Sequence, residues 1–279
     1  MKFVKMHGTG NDYVYVDLFR GKLADPVKAA VAVSHRHFGV GGDGLILIKP
    51  RPDADGEMEM FNADGSRSEM CGNGLRCVAK YVHDHYARGK DELKLMTGAG
   101  WRHARIVKRD AAGAAEQVRL DMGAPIWDGA RIPTTFTGEV LERKIEAAGR
   151  TFTFSSVSMG NPHCVIYVDD VARFPVEQIG PLIETHAFFP RKVNVEFVQI
   201  LSRDEAIQRT WERGSGETWA CGTGASAVAA VGHRLGRTGS KLTLHLTGGD
   251  LTLEYDGTGS VFMTGNAVEV FQGEYPGDF

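Results

Sequence analysis

The sequence predicts an α+β protein of two homologous halves, packed about a pseudo-two-fold axis, with short strands surrounding one central helix in each half. Three observations carry this. First, Cys71-Gly72-Asn73-Gly74 and Cys221-Gly222-Thr223-Gly224 each precede a long apolar-rich segment, as a tight turn opening a helix does. Second, landmarks recur at an offset of 150 residues: Asn161 follows Asn11, Trp211-Glu212 follows Phe61-Asn62, Cys221 follows Cys71, and Thr247-Gly248 follows Thr97-Gly98. His186, Phe189 and Asn194 follow His35, Phe38 and Asp43 at 151. Third, most of the remaining apolar runs are short and bounded by turn residues, the mark of strands.

In chain order, Phe3 to Met6 and Tyr13 to Leu18 read as strands about a Gly8-Thr9-Gly10-Asn11 turn. Pro26 opens a helical pattern through Val27, Ala30, Val31 and Val33, ending near His37. Leu45–Ile48 and Met58–Asn62 are strands, and the helix begun at Cys71 runs to about Arg88. Leu75, Val78, Ala79 and Val82 give it one apolar stripe. Strands follow at Leu93–Met96, Ala104–Val107 and Val118–Met122. In the second half, Val157 to Asn161 and Ile166 to Asp169 repeat the opening strands. Ala225 to Val231 makes the second central helix apolar nearly all round, as in a helix wrapped by other structure.

With 279 residues the chain can hold two domains with real cores. A net charge of −3 leaves no electrostatic footprint for nucleic acid or an anionic membrane. The N-terminus lacks the apolar core of a signal peptide, and no apolar run approaches the roughly 18 residues of a membrane span; a cytoplasmic address is expected. Four cysteines in a reducing compartment are expected as thiols. The spacing of Cys71 and Cys77 suits no zinc pair, and no metal is expected.

Some patterns lead nowhere. Gly39-x-Gly41-x-x-Gly44 has the letters of a dinucleotide fingerprint, but a helix precedes it and a strand follows, the reverse of what that fingerprint needs. The pairs His35/His37 and His83/His85 are two residues apart, which on a helix turns them to different faces; surface or capping roles are expected.

The chemistry rests on the two helix-start cysteines. The positive end of a helix dipole favours thiolate, so both thiols are expected below their reference pKa of about 8.5. First-turn N–H groups favour an anionic ligand, most simply a carboxylate. Two acid/base groups of one kind, on opposite faces of a carbon, suit racemisation or epimerisation: one thiolate removes the proton and the opposite thiol returns one. The duplication explains why there are two. Packing alone would account for a single buried cysteine, but less readily for two at equivalent glycine-flanked turns.

Met6-x-x-x-x-Asn11-Asp12, Phe61-Asn62-Ala63-Asp64-Gly65-Ser66, Met70-Cys71-Gly72-Asn73-Gly74-x-Arg76-Cys77, Met159-Gly160-Asn161-Pro162-His163 and Glu212-Arg213-Gly214-x-Gly216-Glu217-Thr218-x-Ala220-Cys221-Gly222-Thr223-Gly224 together resemble the diaminopimelate epimerase family over essentially the whole chain. The resemblance implies a cofactor-independent isomerase interconverting LL- and meso-2,6-diaminopimelate, on the route to lysine and peptidoglycan precursor. It implies two domains, each a barrel-like mixed β-sheet around a central helix: residues 1–122 with a returning strand at about 267–279, and residues 123–266. Cys71 and Cys221 would be the acid/base pair, with His163 and Glu212 adjusting their protonation. Asn11, Asn62, Asn161, Asn194, Glu212 and Arg213 would bind substrate, and Gly72-Asn73 and Gly222-Thr223 would supply backbone donors. A homodimer is also implied. Two positions depart from some relatives: Gly44 replaces a glutamine, and Phe271 replaces a tyrosine linked to dimerisation.

The rival readings are a proline or hydroxyproline racemase-like enzyme, a phenazine-type isomerase, a thiol-redox protein and a non-enzymatic amino-acid binder. Asn62 and Glu212-Arg213 suit a second polar end better than a small ring. A phenazine-type isomerase works without the cysteine pair, and so would a simple binder. Redox pairs usually show C-x-x-C, which does not occur here.

Overall fold

A computed structural model describes residues 1–277 and 279. The chain divides into two compact units: unit 1 is Met1–Leu120 with Thr264–Phe279, and unit 2 is Asp121–Met263.

Unit 1 contains strands β1 (Lys2–Gly8), β2 (Asn11–Asp17), β3 (Gly44–Lys49), β4 (Gly56–Asn62), β5 (Arg67–Ser68), β6 (Glu92–Thr97), β7 (Gly100–Arg109) and β8 (Ala115–Asp121, which runs to the boundary). Helix α1 (Pro26–Ser34) joins β2 to β3, and α2 (Gly72–Tyr86) joins β5 to β6. Unit 2 has β9 (Val140–Ala147), β10 (Arg150–Ser158), β11 (Pro162–Tyr167), α3 (Val176–Glu184), β12 (Asn194–Ile200), β13 (Glu205–Glu212), β14 (Gly216–Thr218), α4 (Gly222–Arg234), β15 (Lys241–Leu246) and β16 (Gly249–Glu254). The chain then crosses back through β17 (Phe262–Asn266) and ends on β18 (Val268–Glu274).

The two units share one pairing order. In unit 2, β9, β10 and β11 are antiparallel neighbours, β11–β12 is parallel, β12–β13 antiparallel, β13–β15 parallel and β15–β16 antiparallel. In unit 1 the same alternation runs β18–β1–β2, then β2–β3 parallel, β3–β4 antiparallel, β4–β6 parallel and β6–β7 antiparallel. The C-terminal strand β18 thus fills in unit 1 the place that β9 fills in unit 2.

Each central helix is enclosed by its own sheet. Helix α2 packs on β1, β2, β4, β6 and β7, and α4 on β10, β11, β12, β15 and β16. The expected stripe of Leu75, Val78, Ala79 and Val82 is fully buried; sealing a leucine or valine this way stabilises by roughly 1.5–3 kcal/mol each. In α4 every residue from Gly224 to Gly232 is buried, which explains a helix with almost no polar face.

Three local expectations need correction. Helix α1, capped by Asp25 accepting from the Lys28 N–H, stops at Ser34 rather than near His37. His35 leaves the helical region, and its Nδ1 accepts the His37 and Phe38 N–H groups, each at 3.1 Å. His83 is not a surface histidine: it is fully buried, with Nδ1 2.6 Å from Asp84 Oδ1. The repeat pairs Asn194 with Gly44 rather than with Asp43. Gly44 lies opposite Asn62 on β4, and the register that sets Val195 opposite Trp211 brings Asn194 opposite Glu212.

Candidate active site

In unit 1 the half-site forms where the start of α2 meets the start of β2. Cys71 is the N-cap of α2, and its Sγ accepts the Gly74 N–H at 3.4 Å. A thiol donates as well as accepts, and Cys71 Sγ donates to Asn11 Oδ1 at 3.2 Å. The Thr9-Gly10 turn that carries Asn11 runs through the left-handed region, with φ of 55° and 79°.

The Asn11 amide is held in one orientation by charge. Its Nδ2 donates to Asp43 Oδ2 at 2.7 Å, and the Asp12 N–H donates to the same oxygen at 3.1 Å. Arg36 Nη2 bridges Asp43 Oδ1 at 2.8 Å and Asp12 Oδ1 at 2.9 Å, and buried Lys5 binds Asp12 and the Gly41 carbonyl. With its nitrogen on a carboxylate, the amide must turn its oxygen to the thiol. Burial pushes Asp12 up, but hydrogen bonds from Arg36 and Lys5 outweigh it and hold the carboxyl below its usual range. Asp43 is pushed up by burial, then by its neighbour Asp12.

Fully buried Arg76 ties α2 to this turn. Its Nη2 donates to Thr9 Oγ1 at 2.6 Å and its Nε to the Asn266 carbonyl at 3.3 Å. Gly72 and Asn73 are buried in the first turn of α2. Asn62, by contrast, is held by its own loop, donating from Nδ2 to Ser66 Oγ at 2.9 Å. At Gly44 a Cβ would stand 2.1 Å from the Phe61 carbonyl oxygen, so this backbone leaves no room for a side chain.

In unit 2 the half-site is built by β11, β12, β13 and the start of α4. Cys221 caps α4 and is 5% exposed. Its Sγ is 3.6 Å from Thr223 Oγ1. Glu212, at the end of β13, accepts from Thr218 Oγ1 at 2.6 Å, and its carboxyl lies beside the Cys221 thiol. Asn161 donates from Nδ2 to Thr223 Oγ1 at 3.2 Å, and its Oδ1 is 2.9 Å from His163 Nε2. The other ring nitrogen of fully buried His163 is 2.8 Å from Oε1 of equally buried Glu196. Buried Asn194 donates to the Pro162 carbonyl and accepts the Arg213 N–H, each at 2.9 Å. Arg213 itself is exposed, with Nη1 3.2 Å from the Arg191 carbonyl.

The expectation that a helix start lowers both thiols fails at Cys221. Burial pushes this thiol well up, and the carboxylates of Glu212 and Glu196 push it further; the Thr223 hydroxyl and Gly224 N–H pull the other way and lose. A helix terminus is worth about 0.3–1 kcal/mol, less than burying a charge beside two carboxylates costs. Glu212 is raised in turn, chiefly by burial. The unit 2 thiol is thus held up by two neighbouring carboxylates, while the unit 1 thiol faces a neutral amide.

Arg36 and Glu196 carry no mark in the sequence as site residues; Asp43 stands there only as a repeat landmark, and Arg76 only as a letter in a motif. Glu196 had no signal, since a glutamate within Val195-Glu196-Phe197 reads as the solvent face of a strand.

Two units of one strand order, each around a central helix, make a fold that solved structures of other proteins share. A crystal structure of a phenazine biosynthesis protein from Bacillus anthracis is similar at a TM-score of 0.70 and 16% identity, covering 99% of both chains. A probable proline racemase from Agrobacterium radiobacter is similar at 0.67 and 19%, covering 99% of this chain and 92% of the other. At such identities the likeness is one of fold.

The chain belongs to the diaminopimelate epimerase family. The family model matches residues 3–127 and 155–270. A diaminopimelate epimerase from Agathobacter rectalis is 52% identical to it over 98% of this chain and 99% of its own length.

Proposed function

We propose that this chain interconverts LL- and meso-2,6-diaminopimelate, in lysine and peptidoglycan-precursor biosynthesis, by moving the α-proton between Cys71 and Cys221. The observation that carries the mechanism is that each unit presents one cysteine at the start of its central helix with a polar group already beside the sulfur: Asn11 for Cys71, and Thr223 with the Glu212 carboxylate for Cys221.

In one direction the Cys71 thiolate takes the α-proton, leaving the electron pair on the α-carbon and its carboxylate. The Cys221 thiol then gives its proton to the opposite face, and the sulfurs exchange roles for the return reaction. First-turn N–H groups at Gly72-Asn73 and Gly222-Thr223 hold the α-carboxylate as it gathers charge. Asn11, Asn62, Asn161, Asn194 and Glu212 bind the polar ends of the amino acid. Arg213 takes the distal carboxylate, for which a guanidinium fork is well shaped. His163 and Glu212 adjust the Cys221 proton. No cofactor enters these steps, and the active protein is expected to be colourless.

The test is an incubation in deuterium oxide with LL-diaminopimelate and, in parallel, proline. Diaminopimelate should invert with one deuteron gained at the α-carbon, and proline should be untouched. Inversion without deuterium uptake would rule out the thiol pair, and turnover of proline alone would move the chain to the rival substrate class.

Among the described residues no helix is long and apolar enough to cross a membrane, and we place the enzyme in the cytoplasm with its biosynthetic route. We also propose a homodimer through β18, which exposes Val268, Val270 and Phe271. Sedimentation should give a dimer for the parent and a monomer for Phe271→Lys; a monomeric parent at micromolar concentration would refute this.

A further inference from the structure

The two half-sites are built on one plan, yet one position separates them. A Cβ placed on Gly74 would meet Ile46 Cδ1 at 2.6 Å and Cys71 Sγ at 3.7 Å. A Cβ placed on Gly224 would meet Glu196 Oε1 at 2.7 Å and Cys221 Sγ at 3.3 Å. The registers agree: Ile46 lies opposite Tyr15 and Met60, and Glu196 opposite Val165 and Thr210. The slot over the first turn of the central helix thus holds an apolar side chain in unit 1 and a carboxylate in unit 2.

A glutamate in that slot is costly unless it has work to do. Glu196 has no exposed surface, and its Oε2 has no hydrogen-bond partner; a buried, half-satisfied carboxylate costs several kcal/mol. Its one bond is to His163 Nδ1. A carboxylate and an amide oxygen only accept, so Nδ1 donates to Glu196 and Nε2 to the Asn161 oxygen, while the Asn161 amide nitrogen donates to Thr223 beside the Cys221 sulfur. The titratable groups facing this cluster are His163 and Cys164 from β11, Glu196 from β12, Glu212 from β13 and Cys221 from the start of α4.

We propose that Glu196 is a positioning residue for the second thiol: it holds the Nδ1–H of His163, and the carboxylate–imidazole pair sets the charge against which Cys221 gives up its proton. This rests on Cys221 being one of the two acid/base groups. The pair works as a balance, in which the carboxylate opposes the thiolate and the imidazole offsets the carboxylate. Removing one pan leaves the other uncompensated, so the two removals have opposite signs.

The experiment is alkylation of Cys221 by iodoacetamide across pH, read by peptide mass spectrometry in a Cys71→Ser background so that one reactive thiol remains. Glu196→Gln keeps an acceptor for Nδ1–H but loses the negative charge. It should move the profile about one unit to lower pH, a roughly tenfold faster reaction below the midpoint. His163→Gln leaves the Glu196 carboxylate unshielded and should move the profile to higher pH. A side chain that only held the fold together would move neither profile in a protein that still melts cooperatively. A profile coinciding with the parent in either folded variant, or shifts of the same sign in both, overturns the proposal; if one variant does not fold, the sign in the other decides. The readout uses no substrate, so it fails separately from the deuterium assay.

Discussion

Replacing either Cys71 or Cys221 with alanine is expected to lower epimerisation at least a thousandfold while both units stay folded. A positioned general acid or base contributes typically 10²–10⁴-fold, and each alanine removes the acid in one direction and the base in the other. The equilibrium between the isomers does not depend on the enzyme, so kcat/KM must fall by the same factor in both directions. What survives should differ. The remaining thiolate can still remove the proton that faces it and return a deuteron to the same face, giving slow exchange without inversion in one isomer only. Proton NMR of each isomer in deuterium oxide separates exchange from inversion. Either single variant keeping more than a few per cent of epimerase activity would take that cysteine out of the mechanism. Cys71→Ser is the stability control, because its oxygen can replace the sulfur that caps α2 by accepting the Gly74 N–H.

Glu212→Gln should cost activity and add stability. The carboxylate accepts from Thr218 and lies beside the Cys221 thiol, and an amide cannot take up the thiol's proton; kcat should fall on the order of 100-fold. Burial raises Glu212 above its ordinary value, outweighing its hydrogen bonds and the attraction of His163. A carboxyl raised on folding contributes stability that is fully present below its unfolded pKa and lost as pH rises through the folded one. At neutral pH and above, the ionised Glu212 is therefore a liability that glutamine removes. The melting temperature of Glu212→Gln should exceed the parent's at pH 8, and the gain should shrink toward pH 4. A variant less stable than the parent at pH 8, or a gain independent of pH, would mean that Glu212 is not held above its ordinary value.

The parts of the fold and site that were legible in the sequence are those written locally. A cysteine, two glycines and an apolar stripe place α2 and α4, because a helix start and a buried face are encoded within one stretch of chain. The repeat was legible because identical turns recur at fixed spacing. The electrostatics were not. The expected lowering at Cys221 considers only its own helix, whereas the groups that raise it, Glu212 and Glu196, arrive from β13 and β12. Glu196 was hidden for a second reason. Its repeat equivalent is Ile46, so the repeat between the halves carries no mark of it. The inward turn of His83 is not encoded locally, because two histidines at i and i+2 reveal their different faces but not which one is buried.

The exchange of β18 for β9 has a consequence for synthesis. Unit 2 is one unbroken segment, Asp121–Met263, and every strand it needs beside β10 has left the ribosome before β17 appears. Unit 1 is made first but must wait: the edge of β1 that pairs with Gln272, Gly273 and Glu274 stays open until β18 emerges. The nascent chain therefore carries an unpaired, largely apolar strand edge through most of its translation, the kind of edge that recruits other strands. The half made second is the first able to close.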